Sequence, residues 1–394
     1  MKVVYVLHST DALSGSGKAF ISLLSGLMKL GVKPLVIVPD SNGLCDELIK
    51  MDMPFKILPY KMAVYPPCRT LKNKLFFVPM LVKRILWNVY SACKLTRIAK
   101  DFVADIIHTN VSVINIGYKV ALRLDIPHVW HIREYGALDF HYYYYYYTRS
   151  MHLRKYHQPH SYQICITKDI RSYNGLDNSS RARVIYDGVL PREAVRFTSD
   201  KKPYFLFAGR LEETKGIKDA ILAFTCFLKA NPASSFRLKV AGDTPDVSYK
   251  QTLVMLTEDN GINDRVDFLG MRSDIYDLMY EAYALLVPSY SEGFGFITAE
   301  AMFNGCLVIG RDTGGTKEQF DNGFEHTGKE IALRFNTIEK MAGRMCTVVT
   351  EGIESYFPMI YRSQSVVSDL YSIEKYVDSV HSFYGYINGC TSKA

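Results

Sequence analysis

Pro288-Ser289-Tyr290-Ser291-Glu292-Gly293-Phe294-Gly295-Phe296-Ile297-Thr298-Ala299-Glu300-Ala301-Met302 decides how the rest of the chain is read. It follows the apolar run Ala284-Leu285-Leu286-Val287, which is too short for an independent helix and is closed by Pro288, so it reads as a buried strand. A glycine-broken loop leads into a short helix from Ile297 to Asn304, closed by Gly305, and Cys306-Leu307-Val308-Ile309 reads as the next strand. The unit is strand, loop, helix, strand. In open parallel sheets the loops at the carboxyl ends of the strands are where ligands bind.

Glu292 in the loop and Glu300 in the helix, eight residues apart, flank a turn that Gly293 and Gly295 leave open. Without Cβ atoms the backbone can approach a ligand closely, and the first amides of the helix can point at an anion. Carboxylates accept hydrogen bonds from paired hydroxyls, which suits a sugar or a ribose. For either glutamate taken alone, solvation or local capping is the simpler account.

The full string Ser-Glu-Gly-Phe-Gly-Phe-x-x-x-Glu-Ala-Met resembles the signature of the retaining GT-B glycosyltransferases of the family-four type, the glycosyl transferases group 1, which make bacterial polysaccharides and glycolipids. The resemblance implies an α/β chain of two Rossmann-like domains whose parallel sheets face a central cleft. It implies that Glu300 holds the donor ribose and that Glu292 lies against the donor sugar beside the reacting carbon. Gly293, Phe294 and Gly295 would then belong to the donor loop.

A chain of 394 residues suits two domains, and an apolar fraction of 48% with 22% charged residues is that of a folded protein. The net charge of +7 is compatible with an anionic substrate or an anionic membrane surface and selects neither. Nucleic acid is not an expected partner, since no helix-turn-helix, zinc-finger or aromatic RNA-binding motif is present. The eight cysteines are scattered without C-x-x-C pairs or zinc spacing, which points to a reduced, cytoplasmic protein. Met1 to Leu7 is too short an apolar stretch for a signal peptide and reads as the first strand. The apolar run Leu75 to Val82 is broken by Pro79 and is far short of the roughly 20 residues that span a bilayer.

The expected amino-terminal domain, residues 1–190, opens with a βαβ unit whose helix entrance carries Gly15-Ser16-Gly17-Lys18. Ala12 and Ala19 stand where a Walker motif needs Gly and Ser or Thr, and Phe20 stands where a dinucleotide fingerprint needs its third glycine. Gly15 and Gly17 remain as a flexible turn or, by resemblance, a loop facing a diphosphate. Residues Leu75 to Phe102 have helical spacing, with Val78, Leu81, Val82, Ile85 and Val89 on one face and Lys83, Arg84 and Lys94 opposite. A surface helix packed on the core is the expected arrangement, and a basic amphipathic surface on anionic lipid the sharper one. The six tyrosines Tyr142 to Tyr147 suit a half-buried packing helix by default, and also a carbohydrate-stacking face or a membrane interface. His131, at the end of Pro127 to Glu134, matches the family's histidine or aspartate that faces the donor sugar. Val184 to Val189 reads as the last strand of this domain. Asp187 stands there where the family usually has Asn, a change expected to leave the turn intact.

Residues 191–203 are polar and proline-bounded, as a linker should be, and residues 204–365 are the expected donor domain. Gly209-Arg210-Leu211-x-x-x-Lys215-Gly216 resembles the family's diphosphate motif: Arg210 can chelate two oxygens and Lys215 adds a compact charge at a helix entrance. Backbone at Met271 and Arg272 is the counterpart of the family's base grip, and Gly314 and Gly315 of its sugar-side loop. Residues 366–394 resemble the terminal helix that returns to the amino-terminal domain.

The expectation is therefore a retaining, metal-independent glycosyltransferase using a nucleotide-diphosphate-sugar and a saccharide or lipid-linked acceptor, with no cofactor. It would be cytoplasmic, with peripheral contact at the inner face of the cell membrane. A GT-B epimerase, a phosphorylase or a non-catalytic nucleotide-sugar-binding protein would share the architecture. Release of nucleoside diphosphate that depends on acceptor separates these.

Overall fold

The structure, a computed structural model, describes residues 1–12, 14–65, 74–136, 143–144 and 148–391. It divides into two compact units, one of residues 1–188 with 373–394 and one of residues 189–372. The stretch 191–203 packs within the second unit: the Arg196 amide donates to Phe303 O at 3.0 Å and its guanidinium to Asn304 Oδ1 at 2.6 Å.

The first unit contains β1 (Lys2–Val6), β2 (Lys33–Val38), β3 (Phe55–Ile57), β4 (Val64–Tyr65), β5 (Ile106–Thr109), β6 (His128–Ile132), β7 (Tyr143–Tyr144), β8 (Ser161–Cys165) and β9 (Ala182–Val184). Seven of these form one parallel sheet in the order β3-β2-β1-β5-β6-β8-β9. Strands such as Val3-Val4-Tyr5-Val6 are buried on both faces, as continuous apolar runs under flanking helices should be. The second unit contains β10 (Lys202–Ala208), β11 (Arg237–Ala241), β12 (Val266–Gly270), β13 (Ala282–Val287), β14 (Val308–Arg311) and β15 (Leu333–Phe335), all parallel in the order β12-β11-β10-β13-β14-β15. Phe205, Phe224, Phe227 and Phe236 interlock at its centre, with ring centroids 5.2–6.5 Å apart. Both sheets are Rossmann-like, and in each the strand order reverses beside its first strand, at β1 and β5 and at β10 and β13.

Three expectations change. The strand expected over Val184 to Val189 pairs with β8 only at Ala182–Val184, and Asp187 beyond it is fully buried in an ion pair with Arg133 rather than sitting in a plain turn. Tyr143–Tyr144, expected in a packing helix, forms β7, antiparallel to β4; the rest of the Tyr142–Tyr147 run lies outside the described residues, as does Cys68. The helix Phe77–Phe102 buries Asn88, Ser91, Ala92, Leu95 and Ala99. The expected inward residues Val78, Val82 and Val89 are exposed, because the helix turns a different face inward: Phe77, Met80 and Leu81 pack against Ala63, and Asn88, Ser91, Ala92, Leu95 and Ala99 lie over the core.

Candidate active site

Two loops leave the carboxyl ends of the neighbouring strands β10 and β13, where the strand order of the second unit reverses. In an open α/β sheet this is the ligand crevice. The first, residues 209–216, ends in a 3-10 turn at Glu213–Lys215 and in Gly216, whose φ of +69° starts the helix Ile217–Ala230. A Cβ on Gly216 would stand 2.3 Å from Pro288 O, so the second loop can lie against the first only with glycine there. The Tyr290 amide donates to Thr214 O at 2.9 Å and fastens the two together.

This contact brings Lys215 and Glu292 into register. Lys215 Nζ is 2.8 Å from Glu292 Oε1, with the two side chains 23% and 13% exposed. The loop after β14 closes the other side. The Gly315 amide donates to Glu292 O at 2.8 Å, and a Cβ on Gly315 would stand 2.4 Å from Phe294 O. The Gln319 amide nitrogen donates to Phe294 O at 2.7 Å and Gly295 O at 3.0 Å. Glu292 is thus held by its backbone on one side and its carboxylate on the other. Glu300, on the helix Phe296–Phe303, is buried and accepts from the Tyr276 hydroxyl at 3.1 Å. Burial, with the Glu300 carboxylate beside it, raises the Tyr276 phenol, which therefore stays protonated as a donor.

A cation, a carboxylate and several glycines gathered at such a crevice suit a sugar linked to a diphosphate, and the sequence of this unit matches a known family over the same residues. Residues 192–359 match the glycosyl transferases group 1 family.

Curated relatives carry the same family character. An uncharacterized glycosyltransferase of Methanocaldococcus jannaschii is 26% identical over 225 residues, 56% of this chain and 59% of that protein. The D-inositol 3-phosphate glycosyltransferase of Nocardia farcinica is 29% identical over 118 residues, 29% of this chain and 26% of that protein. The chain thus spans less than two thirds of the length of either relative. Among solved structures, Anabaena HepE in complex with UDP superposes with a TM-score of 0.78 at 16% identity, covering 98% of this chain and 100% of that one; its complex with UDP-glucose gives 0.73. The fold is GT-B, built of two Rossmann-like units.

Within the matched stretch the other expected donor residues are more exposed. Arg210 is paired with Glu212 at 2.9 Å, its side chain 67% exposed, so the structure sets Lys215 and not Arg210 against Glu292. Met271 is 73% exposed just past Gly270, and Arg272 makes two bonds to Asp274, at 2.7 and 2.5 Å. Gly314, with φ +53°, has room for no Cβ: one would stand 2.7 Å from Glu292 O. Among the described residues no group of three or more His, Cys, Asp or Glu gathers as a metal site requires.

Three residues that sequence spacing did not single out brace these loops. Arg311, at the end of β14, donates to Pro288 O at 2.9 Å and Asn336 O at 3.2 Å and pairs with Asp219; its guanidinium lies 4.5 Å from the Tyr290 ring centroid. The Tyr290 hydroxyl donates to the same Asp219 carboxylate at 2.8 Å.

In the first unit, Ser14 Oγ accepts from the Gly17 amide at 3.1 Å and caps the helix Gly15–Lys29. A Cβ at position 17 would stand 2.2 Å from Asp11 O. His131 is fully buried on β6. Its Nδ1 is 3.2 Å from His108 Nε2, His108 Nδ1 meets the Tyr384 hydroxyl, and that hydroxyl donates to Tyr5 at 3.1 Å. His131 Nε2 lies 3.8 Å from Asp187 Oδ1, and among the described residues neither atom has a hydrogen-bond partner. Burial, reinforced by Arg133 and His108, holds the His131 imidazole well below its ordinary range. Expected to face the donor sugar, His131 has no exposed ring atom with which to do so.

Proposed function

We propose that this chain transfers a sugar from a nucleotide-diphosphate-sugar to an acceptor hydroxyl, with the anomeric configuration retained and without a metal, in surface polysaccharide or glycolipid synthesis. The observation that carries the reading is the 2.8 Å contact of Lys215 with Glu292 at the strand-order reversal of a unit that matches the glycosyl transferases group 1 family. The complexes of HepE with UDP and UDP-glucose support a nucleotide-sugar as donor.

In the reaction the bond from the anomeric carbon to the diphosphate oxygen breaks and one to the acceptor oxygen forms. The acceptor's proton passes to the departing diphosphate. Negative charge grows on that leaving group, so fixed donors aimed at it lower the barrier. Lys215 supplies one, and the amides at the start of the helix Ile217–Ala230 supply others. Arg210 joins them by exchanging Glu212 for the diphosphate, since an exposed ion pair holds it only weakly. Glu292 orders the sugar hydroxyls and favours positive charge at the anomeric carbon. Glu300, with Tyr276 behind it, holds the ribose, and backbone at Met271 and Arg272 holds the base. Retention is inferred from the family signature. The acceptor is a saccharide or a lipid-linked saccharide, and the protein works in the cytoplasm at the inner face of the membrane.

The test is incubation with a panel of nucleotide sugars, with and without a lipid-linked acceptor pool, following nucleoside diphosphate. Release that rises with acceptor and persists in EDTA is expected. Donor binding with no release, conversion of the free sugar nucleotide without acceptor, or a requirement for orthophosphate would each overturn the assignment.

A further inference from the structure

The helix Phe77–Phe102 lies on the core through its second half, whereas its first turns pack Phe77, Met80 and Leu81 against Ala63 and leave another face bare. Its second half supplies the buried contacts, whereas earlier turns point large apolar side chains outward: Val78 is 64% exposed, Val82 48%, Leu86 63% and Tyr90 55%. These four recur at intervals of four, so they form one stripe along the helix. Trp87, 41% exposed, lies beside the stripe and is pinned by its Nε1, which donates to Pro59 O at 2.9 Å. Pro79, Val82, Lys83, Leu86, Trp87 and Tyr90 line a shallow groove along this face.

Charge decides what such a face meets. Residues 74–100 contain Lys74, Lys83, Arg84, Lys94, Arg97 and Lys100 and no Asp or Glu. The same face on a second copy would repel it; an anionic surface would attract it. Lys94 Nζ lies 4.7 Å over the Tyr90 ring, so cation and aromatic body sit side by side, as at the boundary between headgroups and acyl chains. Among the described residues no helix is long and apolar enough to cross a membrane, so the contact is one that lies on the surface.

We infer that this helix docks on an anionic lipid membrane. Val78, Val82, Leu86, Trp87 and Tyr90 enter the acyl boundary, and Lys83 and Lys94 meet the headgroup phosphates. The inference names the surface behind the membrane location in the proposed function and is independent of the donor chemistry; its corollary, that the membrane also presents the acceptor, rests on that function.

The experiment is flotation of the full chain with phosphatidylcholine vesicles and with vesicles of equal phosphatidylcholine and phosphatidylglycerol. Flotation with the anionic vesicles alone is expected, weakening with salt, together with a blue shift of tryptophan emission. Trp130 is fully buried, so of the chain's two tryptophans Trp87 reports the contact. Val82→Glu with Leu86→Glu should abolish both signals while circular dichroism and melting stay as in the wild type, since both side chains are exposed. Lys83→Gln should weaken binding about fivefold, the contribution of one basic residue near an anionic surface. Lys215→Ala should float like the wild type, which separates this result from any failure of the donor site. No flotation, flotation indifferent to the paired glutamates, or equal affinity for uncharged vesicles would overturn the inference. So would a dimer in sedimentation equilibrium that the paired glutamates dissociate, with no vesicle binding.

Discussion

The Lys215 ammonium stands 2.8 Å from the Glu292 carboxylate, and this ion pair joins loops from the two strands between which the second sheet reverses its order. In the proposed reaction a diphosphate arriving there would compete with Glu292 for Lys215 and release the carboxylate toward the sugar. Lys215→Ala and Glu292→Ala should each lower turnover by at least about tenfold, since single electrostatic contacts at a transition state commonly contribute more than that. The double variant should lose less than the product of the two, because both act on one charge arrangement. Steady-state rates with circular dichroism as the folding control check this; near-normal turnover by the double variant would remove these residues from the site.

Behind that pair, the Arg311–Asp219–Tyr290 cluster should set loop position more than chemistry. Arg311→Ala leaves Asp219 mostly buried without its cation, which should cost about 2–4 kcal/mol in urea unfolding. Tyr290→Phe removes a single hydrogen bond and should cost about 1 kcal/mol. Arg311→Lys keeps the charge but loses the planar fork that serves Pro288 O, Asn336 O and Asp219 together. It should fold and show a lower kcat with little change in KM. A normal kcat in Arg311→Lys would mean that the cluster serves stability alone.

What the sequence made legible was local. The strand–loop–helix–strand around Glu292 stands almost as read, with the helix at Phe296–Phe303 and β14 at Val308–Arg311, because an apolar run, a proline and two glycines bound each element within a few residues. Arg311 and Asp219 are 92 residues apart and Arg133 and Asp187 are 54 apart, so spacing carries no trace of either pair. Val78, Val82 and Val89 face solvent and not the core for a related reason. Periodicity reports that a stripe exists, but whether core or solvent lies beside it depends on where the helix leaves the sheet.

Glycines give a sharper test of the interlocked loops. A methyl group at position 315 would collide with backbone, at 2.4 Å from Phe294 O, so Gly315→Ala must push the Glu292 loop aside. A displacement of about 1 Å at a catalytic group can cost roughly a hundredfold in rate, and a loss of at least tenfold is expected. At Gly343, inside the helix Ile338–Glu351, a Cβ would have nothing within 4 Å. Gly343→Ala should raise stability by about 0.5–1 kcal/mol, the ordinary helix preference for alanine, and leave the rate unchanged. Equal behaviour of the two variants would refute the interlock.

The first unit should be acid-sensitive through its buried histidines. Burial, reinforced by Arg133, lowers the His108 imidazole to about 3, and burial with Lys155 and Arg149 nearby lowers His152 to about 3, against 6.5 for a free side chain. The unfolded chain takes up protons that these folded sites refuse. Their contribution is therefore fully present above pH 6.5 and is lost as the pH falls toward about 3. At pH 5 each site has forfeited about 2 kcal/mol, together a large part of the 5–15 kcal/mol that holds a typical domain. His128 and His131, also held well below the ordinary range by burial, push the same way. Trp130 packs edge-on against His152 with centroids 5.7 Å apart, so its emission reports this region directly. Urea midpoints followed by that emission should fall steeply between pH 7 and pH 5, and His152→Gln should flatten the fall by about 2 kcal/mol whatever it does at neutral pH. A midpoint indifferent to pH across that range would mean that these imidazoles are protonated as readily in the folded protein as in the unfolded chain.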